Sequence, residues 1–309
     1  MTGPFPTPHP LPPDRSHLPT EHRHAASMRL HRLSVAEIVG VINREDRTVA
    51  EAVAAAAPAI SAFIEAAEPG FIAGGRLVYL GAGTSGRLGV LDASECPPTF
   101  CVEPGRVIGL IAGGDAALRR SSEGLEDDPD GARAELEALD VGPRDAVLGI
   151  AAGGTTPYVL GGVACAGARG ALAGLLVCVP MERPGGVDHV ISVATGPEVL
   201  TGSTRMKAGT ATKLVLNTIS TTLMVRAGRV YQNLMVDVRA TNAKLRDRAA
   251  RVVAGLTGLD RGAALALLER AGGSAKTAIV MARRGLDRTA AEAELARARG
   301  RLGVVLGES

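Results

Sequence analysis

The chain has 309 residues, 46% of them hydrophobic and 21% charged, a composition that supports a substantial core and excludes disorder over the whole length. Thirty-four Lys and Arg against 32 Asp and Glu leave a net charge of +2, which gives no electrostatic footprint for nucleic acid. With three Tyr, four Phe and no Trp, base-stacking platforms are scarce as well.

Residues 1–19 hold seven prolines, and His9, His17, His22 and His24 lie among or just after them. Missing N–H donors and cis/trans mixtures predict a disordered tail over 1–26 that adds little burial. Metal binding by these histidines is the minor alternative. No basic-then-apolar leader opens the chain and no apolar run reaches the length of a membrane span, so a cytoplasmic location without membrane attachment is expected. The four cysteines, Cys96, Cys101, Cys165 and Cys178, have no C-x-x-C spacing and read as reduced thiols.

Helices are expected over 27–68. Ser34 with Glu37 forms a capping-box pattern before Ala36–Ile42, and an Ala-rich helix follows over Val49–Ala67, ending at Pro69-Gly70. Between 69 and 232 short apolar runs alternate with helical stretches: Leu77–Leu80, Val107–Ile111, Ala146–Ile150 and Leu172–Val179. Continuous apolarity marks strands buried on both faces, and the intervening helices imply parallel crossovers. The fold class is therefore α/β, a doubly wound parallel sheet between helices, with ligands expected beyond the carboxyl ends of the strands. Arg205–Ala227 reads as one long helix. From 233 to 309 an Ala/Leu/Arg-rich region broken by glycines predicts a small helical C-terminal unit.

Three loops could carry chemistry. Gly81, Gly83 and Gly86 fit G-x-G-x-x-G between a strand and a helix, but no ribose-binding acid ends the second strand. Thr84 and Ser85 add hydroxyls, and backbone N–H groups with hydroxyls suit a phosphate monoester; a phosphosugar is favoured over a dinucleotide, with a plain tight turn as the third possibility. A second hydroxyl cluster, Thr201-Gly202-Ser203-Thr204 with Arg205 and Lys207, stands at the start of the long helix as an anion site or an ordinary N-cap. Glu95 precedes Pro97-Pro98, which are expected to stop the helix and leave it in the last turn. There the helix dipole favours its protonated form, as a general acid requires, though a solvated helix-end Glu is equally ordinary. The acidic run Glu123–Asp128 by itself reads as surface.

Together these segments are distinctive. Gly81–Gly89 continuing through Asp92-Ala93-Ser94-Glu95-Cys96-Pro97-Pro98-Thr99, then Thr201–Thr210, Asn233–Asp237 and Ala240–Leu245 resemble the N-acetylmuramic acid 6-phosphate etherases, over roughly residues 20–305. The resemblance implies a sugar isomerase (SIS) fold, flavodoxin-like. It also implies hydrolytic loss of a D-lactyl ether from a cell-wall amino-sugar phosphate, with no metal or organic cofactor. It further implies that Glu95 assists lactate departure, Glu126 is the second catalytic carboxylate and C2 base, and Thr84, Ser85, Gly86, Ser203, Thr204 and Lys207 bind the phosphosugar. A homodimer is expected too, because the Leu216–Ile219–Leu223 stripe needs a partner or a core; in the family the partner can complete each site. A phosphosugar-sensing protein and an SIS-fold isomerase are the alternatives. Ala152-Gly153-Gly154-Thr155-Thr156-Pro157-Tyr158 departs from the family's Ala-Ser-Gly-Arg-Thr-Pro-Tyr, and His24 and His31 replace Asn and Asp.

Overall fold

Five short segments form one parallel sheet in a computed structural model that describes residues 14–120, 123–238 and 243–308. The strands are β1 (Leu77–Gly81), β2 (Val107–Ile111), β3 (Ala146–Ile150), β4 (Leu172–Val177) and β5 (His189–Ser192). Their order is β2-β1-β3-β4-β5, with Leu77 beside Val107 on one side and Ala146 on the other. This is the flavodoxin-type doubly wound order, in which the crevice lies where the order reverses beside β1. β5 carries little strand signal in the sequence, because it is a four-residue edge strand that begins and ends in polar residues, His189 and Ser192.

The two-residue period of β1 divides its side chains between two cores. Leu77 and Tyr79 enter the layer formed with α1 (Val35–Ala55), α2 (Ala57–Ile72), α3 (Gly83–Phe100) and α6 (Lys207–Arg226). Val78 and Leu80 enter the layer formed with α4 (Arg133–Ala138) and α5 (Pro157–Ala168). Leu216, Ile219 and Leu223 are at most 1% exposed, so the core takes the stripe for which a partner was the alternative.

Local chemistry explains several boundaries. Ser34 and Glu37 make the expected reciprocal cap on α1. α1 and α2 break at Ala56 because Pro58 has no N–H for the Ala54 carbonyl. Other expectations fail. Pro69-Gly70 does not end α2, which continues to Ile72, and Pro97-Pro98 do not end α3. The prolines instead occupy the last turn of α3, which closes at Cys101 in the left-handed region (φ 51°), with the Cys101 N–H on the Pro97 carbonyl. Glu95 therefore lies five residues before the helix end at Phe100, beyond the strongest effect of the terminus.

The tail also needs correction. Residues 1–13 lie outside the described residues, but 14–33 form short 3-10 turns in which Leu18 and Thr20 are buried. The C-terminal unit, α7 (Ala243–Thr257), α8 (Arg261–Arg270), α9 (Ala275–Arg284), α10 (Arg288–Arg297) and α11 (Leu302–Leu306), has its own core around Val253, Leu268 and Ile279. The hairpin β6 (Val230–Tyr231) and β7 (Leu234–Met235) links it to α6.

Candidate active site

Chain reversal after β1 requires glycine at three places. Gly83 opens α3 at φ +51°, and Gly81 and Gly86 pack so closely that a β-carbon on Gly86 would stand 2.7 Å from the Gly81 carbonyl oxygen and 2.6 Å from Ile111 Cγ1. Thr84 and Ser85 then occupy the first helical turn, where backbone N–H groups have no carbonyl four residues back. Gly86 does not fill the ligand-contacting place expected of it: it is buried, and its N–H donates to the Ala82 carbonyl at 3.2 Å.

The second hydroxyl loop reaches the first. A β-carbon on Gly209 would lie 3.6 Å from Thr84 Cγ2 and 3.5 Å from the Thr204 carbonyl oxygen, so small residues let the start of α6 close on the β1–α3 turn. Ser203, Thr204, Thr84 and Ser85 are all half-buried along this junction.

Two expectations about α6 change. Its first N–H groups are taken by the buried carboxylate of Glu198, which accepts from Lys207 at 3.0 Å and from Ala208 at 2.9 Å. The Lys207 ammonium is buried on the Glu45 carboxylate at 2.9 Å, and His24 Nε2 meets the same oxygen at 2.9 Å. Burial pushes the Glu45 carboxyl up, but Lys207 and His24 outweigh it and hold it below its ordinary value. Lys207 thus braces the loop from behind rather than offering a free charge to phosphate. Neither Glu198 nor Glu45 was singled out from sequence, since their contacts depend on the three-dimensional fold.

Glu126 arrives from the segment after β2. Its Oε1 lies 3.2 Å from where a β-carbon on Gly83 would stand, and its carbonyl accepts from the Tyr158 N–H at the start of α5. The third loop, after β3, contributes Gly153 and Gly154. A β-carbon on Gly153 would meet Leu18 Cδ1 at 3.3 Å, so the N-terminal turn occupies space beside this loop. Thr20 carries a buried hydroxyl with no hydrogen-bond partner among the described residues, and its backbone carbonyl accepts from the Gly202 N–H.

Glu95 is not brought to this cluster. It is exposed on α3, twelve residues beyond Gly83, about 18 Å along the helix axis. Between them, buried Asp92 accepts from Tyr79 Oη at 2.8 Å, Asn217 Nδ2 at 2.6 Å and Ser220 Oγ at 3.3 Å. Burial and the Asp92 charge push the Tyr79 hydroxyl well above its ordinary pKa. This network fastens α3 to β1 and α6. Burial pushes the Cys96 and Cys178 thiols up to about 12, so neither is a nucleophile near neutrality.

Several known proteins are similar to this chain. Residues 56–166 match the family of the glucokinase regulatory protein N-terminal SIS domain. Among solved structures, phosphoheptose isomerase from Neisseria gonorrhoeae aligns with a TM-score of 0.46 and 14% identity, over 62% of this chain and 98% of that one. An N-acetylmuramic acid 6-phosphate etherase from Gloeobacter violaceus is 56% identical over 87% of this chain and 88% of its own length. One from Synechococcus sp. is 57% identical over 270 residues, 87% of this chain and 85% of that protein. With the glycine turn, both hydroxyl loops and both glutamates inside a match of that extent, the chain belongs to the N-acetylmuramic acid 6-phosphate etherase family.

Proposed function

We infer that this chain cleaves the D-lactyl ether of N-acetylmuramic acid 6-phosphate with water, giving N-acetylglucosamine 6-phosphate and D-lactate in the recycling of cell-wall sugar. The observation that carries the reading is the placement of Glu126 over Gly83, at the turn where Thr84, Ser85, Ser203 and Thr204 gather. Those hydroxyls and the first N–H groups of α3 hold the phosphate. In the ring-opened sugar the C2 hydrogen is α to an aldehyde, and the Glu126 carboxylate takes it. The C3–O bond breaks as Glu95 gives its proton to the departing lactate oxygen, leaving a C2=C3 double bond. Water then adds at C3, losing a proton to Glu95, while Glu126 returns a proton to C2. Each positioned acid or base contributes about 10²–10⁴-fold.

C2 and C3 are adjacent, whereas one chain's Glu95 and Glu126 stand at opposite ends of an ~18 Å stretch of helix. The reading therefore takes a homodimer in which Glu95 of one protomer serves the loop of the other. The α1–α2 pair bends by 51°, and no single helix among the described residues is long and apolar enough to cross a membrane; the enzyme is assigned to the cytoplasm, where phosphosugars are kept. Incubation with N-acetylmuramic acid 6-phosphate and an enzymatic D-lactate assay test the function. Stoichiometric D-lactate is expected, and its absence at high enzyme concentration overturns the reading.

A further inference from the structure

Glu95 opens onto a cleft of about 620 Å³ whose far wall comes from the C-terminal unit: Lys244, Leu245 and Arg248 of α7, with Met235 of the β6–β7 hairpin. Lys244 and Arg248 are four residues apart and share a helix face. The other cations of α7 are satisfied: Arg246 pairs with Glu269, and Arg251 reaches Asp247, which Arg261 also meets at 2.9 Å. Among the described residues Lys244 and Arg248 form neither an ion pair nor a side-chain hydrogen bond. Glu103 also lines the cleft, which sets the two cations of α7 opposite the carboxylates of α3 and the turn after it.

We propose that Lys244 and Arg248 recognise the carboxylate of the substrate's lactyl group, with Met235 and Leu245 receiving its methyl. This rests on Glu95 being the acid that protonates the ether oxygen. The lactyl carboxylate is only two bonds from that oxygen, so whatever binds it must line the same cleft as Glu95. A guanidinium suits a planar carboxylate bidentately and an ammonium adds a point charge. The pair thereby distinguishes an ether carrying a carboxylate from the bare sugar phosphate, which the phosphate loops alone cannot do. Because the carboxylate is present before and after C–O cleavage, these are positioning residues whose loss weakens binding more than turnover.

The test uses Lys244→Met, Arg248→Met, the double variant and Lys244→Arg in the full chain, with melting temperature as the folding check. Steady-state lactate release gives KM and kcat. Exchange of ¹⁸O from water into the C3 hydroxyl of N-acetylglucosamine 6-phosphate reads the same C2 and C3 chemistry on a sugar without a lactyl group. Each Met variant is expected to raise KM roughly ten- to a hundredfold with a smaller change in kcat and to retain exchange, and Lys244→Arg is expected to keep KM nearer to wild type than Lys244→Met does. Unchanged KM in the double variant overturns the assignment, as does parallel loss of lactate release and exchange. If the wild-type enzyme neither releases lactate nor exchanges oxygen, the etherase reading itself fails, and the two failures are told apart.

Discussion

The Glu126 carboxylate hangs over Gly83, with Oε1 3.2 Å from the position of a β-carbon at that residue. A side chain at 83 would press on the carboxylate and also hold an L-residue at φ +51°, which costs about 1–2 kcal/mol. Gly83→Ala is therefore expected to fold, to melt a few degrees lower, and to lose turnover at least about a hundredfold, because a base moved by an ångström loses its alignment. Paired thermal melts and lactate assays check this; near-wild-type kcat would mean that Glu126 does not act from this position.

The separation of Glu95 from Glu126 makes a dimer prediction that mass measurements alone do not. Glu95→Gln and Glu126→Gln homodimers should each be inactive. Unfolding and refolding an equal mixture should restore about a quarter of the wild-type activity, because half of the molecules are heterodimers and each has one site with both carboxylates. Lack of recovery, with mixed dimers shown to form, would place both groups in one protomer's site.

How far the site was legible depends on how local each interaction is. The strand runs and Gly81-Ala82-Gly83-Thr84-Ser85-Gly86 announce themselves because backbone burial and a tight reversal constrain neighbouring residues. Pro97-Pro98 misled because a proline removes an N–H and clashes with the preceding turn, yet the closing turn of α3 accepts both. Lys207 looked like a phosphate ligand beside Thr204, but its true partner, Glu45, lies 162 residues away. Glu198 caps α6 from outside the helix in place of the side-chain cap that Met206 lacks. Lys244 and Arg248 gain meaning only when the C-terminal unit brings them to the cleft that Glu95 lines.

Pairing with Glu45 implies that the Lys207 ammonium, 4% exposed, is structural. Glu45→Ala leaves a buried cation without its carboxylate and is expected to cost about 3–5 kcal/mol in urea unfolding. The double replacement Glu45→Leu with Lys207→Met removes both charges and should cost less than Glu45→Ala alone. A large rise in KM in the double variant with unchanged stability would return Lys207 to the phosphate site.

Leu18 anchors the N-terminal segment to the third loop. It is 9% exposed and packs beside Gly153. Leu18→Ala is expected to destabilise by about 2–3 kcal/mol through lost burial and an incompletely filled space, and to raise KM because the third loop loses its backing. Thr20→Val is expected to leave stability unchanged or slightly higher, since its hydroxyl has no partner among the described residues. A wild-type urea midpoint for Leu18→Ala would show that the turn contributes no stability.

Arg76 provides a control at the opposite end of the sheet. Its guanidinium donates to Asp145 Oδ1 at 3.0 Å and Oδ2 at 2.7 Å and to the Leu139 carbonyl at 2.6 Å, tying the start of β1 to the turn before β3. Burial pushes the Asp145 carboxyl up, but Arg76 and the Gly142 N–H outweigh it and hold it below its ordinary 3.8. The unfolded chain therefore takes up the proton first as pH falls. The pair's stabilisation is present above the ordinary value and disappears as pH drops through the lower folded value. Arg76→Met is thus expected to destabilise by about 1–3 kcal/mol near neutrality, with the difference from wild type narrowing below pH 3.8. KM should not move, because the pair lies at the amino ends of the strands and the phosphosugar loops at their carboxyl ends. Urea midpoints across the acid range, beside KM at neutral pH, decide the matter: a pH-independent difference would show that Arg76 acts through packing rather than through the Asp145 charge.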